Sequence, residues 1–331
     1  MTRIGTRISA DWLDRPEDLK FIKQIGVDYV DIVLDMVPGY DEAGGRANRD
    51  GLHQVIEKLD DAGLKIERAN TSGTHYVNAF LGRPGGDREI ENLQVNAELC
   101  GEAGLPMFGI QAFQVSTLYP FRENFHSWVT GRGGYQHHHM RVRELADMPL
   151  RADAPSAQQI WDGTLNIYKS VMPVLDQYNL KVGMHGNDPP VPKINGVSQV
   201  LYNFDAFEKL FTEVPSKNNC MTFCVGTRYE SGEDIFEGIR RFGDKIIHVH
   251  FRNVKGTIPV NGEYQEVMPD EGDLSMYRVA KALDDVGYEG VIDYDHLNRI
   301  STDSPQGREY MAYCVGPVSY THLTLPTKRI V

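Results

Sequence analysis

Cysteine is scarce in this 331-residue chain. Its four cysteines, Cys100, Cys220, Cys224 and Cys314, are scattered and do not make the closely spaced set of a secreted disulfide framework. Long apolar runs are missing as well. Met1 to Asp11 is polar and charged, and no uninterrupted apolar stretch of roughly 18 residues follows. Export and membrane spanning are therefore disfavoured, and a cytoplasmic location is expected. Positive charge is in deficit, with 34 basic against 46 acidic residues and a net charge of −12. A chain of that sign is repelled by phosphate backbones, which argues against a nucleic-acid partner. No Gly-x-Gly-x-x-Gly turn follows the first strand-like segment, which weakens the case for a doubly wound dinucleotide-binding sheet. What is present is enough apolar residue, 41%, for a full-size core.

Short β-branched runs alternate with longer amphipathic stretches. Arg3–Ile8, Tyr29–Val33, Lys65–Arg68, Met107–Gln111, Lys181–His185, Cys220–Cys224, Ile246–Phe251 and Gly290–Asp295 read as strands. Between them Pro16–Ile25, Arg49–Ala62, Asp87–Glu102, Trp161–Gln177, Phe204–Thr212, Asp234–Phe242 and Asp273–Val286 read as helices, and an eighth begins after Ser304. Eight βα units in strict alternation predict an α/β fold of the (β/α)8 TIM-barrel type, built as a single domain over residues 1–317. One section breaks the rhythm. From about 113 to 156 the chain is rich in Gly, His, Arg and aromatics, and it is too long for a bare loop, so a lid-like insertion is expected. The tract His137-His138-His139 within it reads as a solvated loop, with substrate contact as the rival.

In such barrels the working residues stand at the C-terminal ends of the strands. His185 ends the fifth strand, Cys224 the sixth, His250 the seventh and Asp295 the eighth, each about one βα unit after the last. Each alone has an ordinary structural reading: a small core thiol, a satisfied strand-end histidine, a helix cap. Four on consecutive strands point instead to one shared divalent-metal site, in which a thiolate and a carboxylate balance the ion's charge and two imidazoles add neutral donors. His248, two residues before His250, faces the same way one layer deeper and reads as core or as support for a ligand. Asn187 and Asp188 could orient His185 or bind hydroxyls, or simply form the turn before Pro189-Pro190. Arg252 and Asn253 could donate to a carboxylate or polyol, or be ordinary loop residues.

The segments Met184-His185-Gly186-Asn187-Asp188-Pro189-Pro190, Thr222-Phe223-Cys224, His250-Phe251-Arg252-Asn253-Val254-Lys255 and Asp295-His296 resemble the motifs of the mannonate dehydratases, a family similar in architecture to the xylose-isomerase-like barrels. The resemblance implies that His185, Cys224, His250 and Asp295 bind a divalent ion, manganese first, with iron or zinc as alternatives. It implies a hydro-lyase of hexuronate breakdown that converts a small-molecule sugar acid, D-mannonate, to 2-keto-3-deoxy-D-gluconate by loss of the C2 proton and the C3 hydroxyl. His296 matches a residue with an acid–base role. A second such residue, a tyrosine, would fall at Tyr310 or Tyr313, and His75 matches a position near the substrate. Two motifs depart from the family: Gly186-Asn187 stands where Pro-Asp is usual, and Leu297 where glycine is. A sugar isomerase or epimerase on the same barrel, and a barrel that binds a sugar acid without converting it, remain the competing readings. The outer helices of such a barrel are common docking surfaces, so a homo-oligomer is compatible with the sequence. The end of the chain stands apart. Val318–Thr327 resembles the in-frame translation of a transposon-end sequencing adapter, so residues 318–331 are expected to be a non-native tail and the last helix to be truncated.

Overall fold

The computed structural model describes residues 3–121, 125–301, 304 and 307–323. Strand β1 (Arg3–Arg7) pairs in parallel with β2 (Tyr29–Val33) on one side and with β8 (Val291–Asp293) on the other, so the sheet closes on itself. The ring continues through β3 (Lys65–Asn70), β4 (Met107–Gly109), β5 (Lys181–Met184), β6 (Asn219–Cys224) and β7 (Ile246–His250) in chain order. Each strand is followed by one long helix: α1 (Pro16–Gln24), α2 (Arg49–Asp61), α3 (Gly86–Glu102), α4 (Ala157–Tyr178), α5 (Phe204–Glu213), α6 (Ile235–Phe242), α7 (Met276–Asp285) and α8 (Arg308–Leu323). This is the expected (β/α)8 barrel. The expected non-native stretch begins inside α8, and its residues 324–331 lie outside the described residues. No described helix is long and apolar enough to cross a membrane.

Local chemistry accounts for the helices. Asn48 caps α2 by accepting from the backbone N–H of Gly51, and Leu52, Val55 and Leu59 fall on its buried face. Ser156 and Gln159 form a reciprocal capping box at the start of α4. Helix α4 also packs closely on the short helix Val77–Leu81: a Cβ placed on Gly163 would stand 1.9 Å from the carbonyl oxygen of Phe80. Gly163→Ala is therefore expected to cost about 2 kcal/mol, read as a melting temperature lowered by roughly 3 °C. An unchanged melting temperature would show that the two helices can part freely.

The section from 113 to 156 carries more order than its composition suggests. His126–Thr130 and Gln136–Met140 form an antiparallel hairpin, and a second hairpin, Asn253–Lys255 with Tyr264–Val267, arises in the segment after β7. The two join through Tyr264–Val267 and Gln136–Met140 into one four-stranded antiparallel sheet. The histidine tract is thus a strand, not a solvated loop, and His137 is only 3% exposed.

Candidate active site

Strand register brings the four strand-end residues together. Cys224 lies directly across from His250, and His250 across from Asp293, two residues before Asp295. Ligand-type atoms of His185, Cys224, His250 and Asp295 all lie within 4.8 Å of one another, so the group could hold a metal ion. Asp295 adopts a left-handed backbone conformation (φ 67°), unusual for a residue with a Cβ, and its N–H donates to Asp293 Oδ1 at 2.6 Å. That turn swings its carboxylate back over the barrel end. Its Oδ1 lies 3.3 Å from His250 Nδ1, and its Oδ2 lies 3.8 Å from Cys224 Sγ.

The donor set suits a divalent cation. His185 Nδ1 is 2.8 Å from the Gly186 carbonyl and donates to it, which leaves Nε2 with its lone pair. His250 Nδ1 is buried and, although 3.3 Å from Asp295 Oδ1, makes no hydrogen bond among the described residues, so its lone pair suits a cation. Burial lowers the pKa of both imidazoles and keeps them in the neutral, ligating form. Burial opposes the charge of Asp295, yet His296, Arg252 and Arg7 hold it well below the usual carboxylate range. Burial also pushes the Cys224 thiol up to about 12, so its thiolate calls for a compensating cation. The backbone N–H and hydroxyl of Thr227 both donate to Cys224 Sγ, at 3.4 and 3.0 Å. One layer below, His248 bonds Asp293 at 3.2 Å and supports the cluster from the core.

Two adjoining cavities open on the cluster. The smaller, about 250 Å³, is lined by His185, His250 and Asp188. The larger, about 520 Å³, is lined by His126, His138 and Trp12. Arg7, Met140, Glu266, Asp295 and His296 line both. His296 stands 40% exposed beside Asp295, with Nδ1 2.9 Å from both oxygens of Glu266 and Nε2 3.5 Å from Asp295 Oδ2. Burial works against its charge, but Asp295 and Glu266 outweigh it and raise the imidazole to about 10.

Several expected substrate contacts are occupied by the protein itself. Arg252 is buried at 4% side-chain exposure and pairs with Asp188 (2.7 Å), Glu230 (3.2 Å), Glu266 (3.2 Å) and Asp295 (3.2 Å). It organises the carboxylates of the site and is not held open for a ligand. Asn253 donates to the carbonyls of Pro269 and Leu274, and Asn187 donates to Phe113 O while accepting from Leu201 N. Both amides are bonded to loop backbone, and neither lines either cavity. Asp188 does line the smaller cavity, where Arg252 holds it down to about 2 against the effect of burial. His75 lines neither cavity and lies 3.2 Å from Asp41. Tyr310 lines neither cavity; its buried hydroxyl accepts from Asn298 at 2.9 Å. Tyr313 is bound to Asp270 at 2.7 Å.

Two residues at the site went unread in the sequence, Arg7 and Glu266. Arg7 is the last residue of β1, so the strand-end rule that found the cluster applies to it equally. Its side chain is 43% exposed and lies 3.7 Å from Asp295 Oδ1. Arg68, by contrast, is 3% exposed and committed to Asp31 and Thr222. Among the arginines packed around the cluster, Arg7 therefore has donors to spare. Glu266 sits in the second hairpin, which has no signature in the sequence.

The sequence model of the D-mannonate dehydratase (UxuA) family matches residues 137–315, more than half of the chain. The chain belongs to that family. Mannonate dehydratases are hydro-lyases, as the motif resemblance implied. The mannonate dehydratase of Brachyspira hyodysenteriae is 26% identical over 318 residues, covering 84% of this chain and 85% of its own. That of Enterococcus faecalis is 38% identical over 157 residues, or 47% of this chain and 44% of its own. The crystal structure of mannonate dehydratase from Streptococcus suis serotype 2 superposes with a TM-score of 0.82 at 20% identity, covering 99% of this chain and 98% of that one. A xylose isomerase domain protein from Alicyclobacillus acidocaldarius shares the fold at a TM-score of 0.63 and 14% identity, covering 98% and 99%. The departures at Gly186-Asn187 and Leu297, with identities of 26% and 38% to these relatives, fit a divergent member of the family.

Proposed function

We propose that the protein removes water from an aldonate, D-mannonate giving 2-keto-3-deoxy-D-gluconate. The observation that carries this reading is that the smaller cavity is lined at once by His185, His250 and Asp295 of the four-residue cluster, by an open arginine, Arg7, and by the carboxylate-held His296. His185, Cys224, His250 and Asp295 would hold a divalent ion, manganese by the family resemblance, which when bound would supply Lewis-acid stabilisation of charge developing on the substrate. Arg7 takes the substrate carboxylate, because its guanidinium faces the cavity while Arg252 and Arg68 are committed within the protein. Glu266 accepts from His296 Nδ1 and fixes the ring, leaving Nε2 as the atom that handles protons. The ring, kept protonated by Asp295 and Glu266, gives its Nε2 proton to the departing C3 hydroxyl and regains one from C2, so one group serves both steps. The products are water and an enol that becomes the 2-keto acid, which balances the reaction. Arg252 keeps Asp188, Glu266 and Asp295 in place around that chemistry.

Incubation of the manganese-loaded protein with a panel of aldonates and neutral sugars tests this reading. Formation of a 2-keto-3-deoxy acid from D-mannonate is the expected result. Interconversion of neutral sugars without loss of water would assign the barrel to isomerase or epimerase chemistry instead. Binding of an aldonate without turnover would make it a binding protein.

A further inference from the structure

We propose that His138, the middle residue of the histidine tract, binds the hydroxyls at the far end of the substrate and so sets the length of acid the site accepts. This rests on the proposed aldonate reading for which end of the ligand lies where. Alternation along a strand sends neighbouring side chains to opposite faces of the cap sheet. His137 bonds Gln265 at 3.0 Å and His139 pairs with Glu263 at 3.2 Å, while His138 lies across from Trp128 on one neighbouring strand and Glu266 on the other. Residues directly across a ladder share a face, so His138 is on the same face as Glu266, which holds His296.

The His138 ring is held ready for a ligand. Its Nδ1 is hydrogen-bonded to His126 Nε2, and its ring packs on Trp128 with centroids 4.0 Å apart. Trp128 is covered in turn by the Arg299 guanidinium at 3.9 Å. Among the described residues, His138 Nε2 has no hydrogen-bond partner. Burial lowers this imidazole to about 4, so it meets a ligand as a neutral donor or acceptor suited to hydroxyls. His126 and His138 line the larger cavity and not the smaller one that contains His185 and His250. An acid anchored by its carboxylate at Arg7 and the cluster extends its opposite end into the larger cavity, toward His138. Selection is then for an extended, hydroxylated chain.

The test compares the affinity of manganese-loaded protein for two probes, D-mannonate with six carbons and D-erythronate with four, by calorimetry in wild type, His138→Leu and His138→Asn. Wild type is expected to favour the six-carbon acid by roughly tenfold or more, the worth of one or two hydrogen bonds. Both variants should bring that ratio close to one. The asparagine variant, polar but too short to reach, serves if the leucine variant does not fold. A ratio unchanged in the folded variants, or no preference in wild type, overturns the role of His138 even where D-mannonate is dehydrated. A ratio that collapses in the variants while no aldonate is turned over supports His138 and removes the dehydration reading. Failure of any aldonate to bind overturns both.

Discussion

Cys224→Ala is expected to remove the bound divalent ion and the turnover together while the barrel stays folded. In the proposed site the thiol would contribute one of two anionic ligands, and without it a single carboxylate would face the ion with two neutral imidazoles. Loss of a partner that merely supports a ligand typically costs about 10–100-fold in metal affinity or activity, and loss of a direct ligand should exceed that. The substitution removes one buried sulfur, which costs the fold on the order of 1 kcal/mol, too little to unfold a barrel of this size. Metal content by mass spectrometry, a melting curve and kcat/KM on one preparation separate these effects. Cys220 supplies the control: it is on the same strand, but its thiol donates to Lys217 O at 3.4 Å, well before the end of the strand. Cys220→Ala should therefore keep metal and turnover. Wild-type metal content in Cys224→Ala would remove the thiolate from the site.

What the sequence made legible follows from periodicity. Each barrel strand is a short apolar run covered by an amphipathic helix, so β1 to β8 stand out, and their ends can be searched for chemistry. That search found the cluster because strand order in the ring equals chain order. The cap sheet was hidden for a physical reason. Gln136-His137-His138-His139-Met140 has no apolar alternation, since both of its faces carry polar partners, and its neighbour Tyr264–Val267 is more than a hundred residues away. Glu266 was hidden with it. Arg7 is hidden for another reason: an arginine at a strand end is not a metal-type residue, whereas a substrate carboxylate calls for a cation. Residue type also misled at Asn187, Asn253 and Arg252. Their donors suit a sugar acid, but a loop-rich barrel mouth has buried carbonyls and carboxylates of its own to satisfy first.

His296→Gln is expected to lower kcat by about 10²–10⁴-fold, the range for loss of a positioned acid–base group, while KM for D-mannonate and metal content change little. The side chain is 40% exposed, so a similar-sized amide should be accommodated, and its N–H can still donate to Glu266. What glutamine lacks is a titrating nitrogen at the position of Nε2. Arg7→Gln provides the opposite signature. Removing the charge that holds the substrate carboxylate should raise KM by roughly tenfold or more, with the smaller effect on kcat. The pair distinguishes a residue that moves protons from one that holds the acid, on the same protein and in the same assay. If His296→Gln instead raised KM and left kcat near wild type, the imidazole would be a binding group, and the proton transfers would have to be assigned to another residue of the shared cavities.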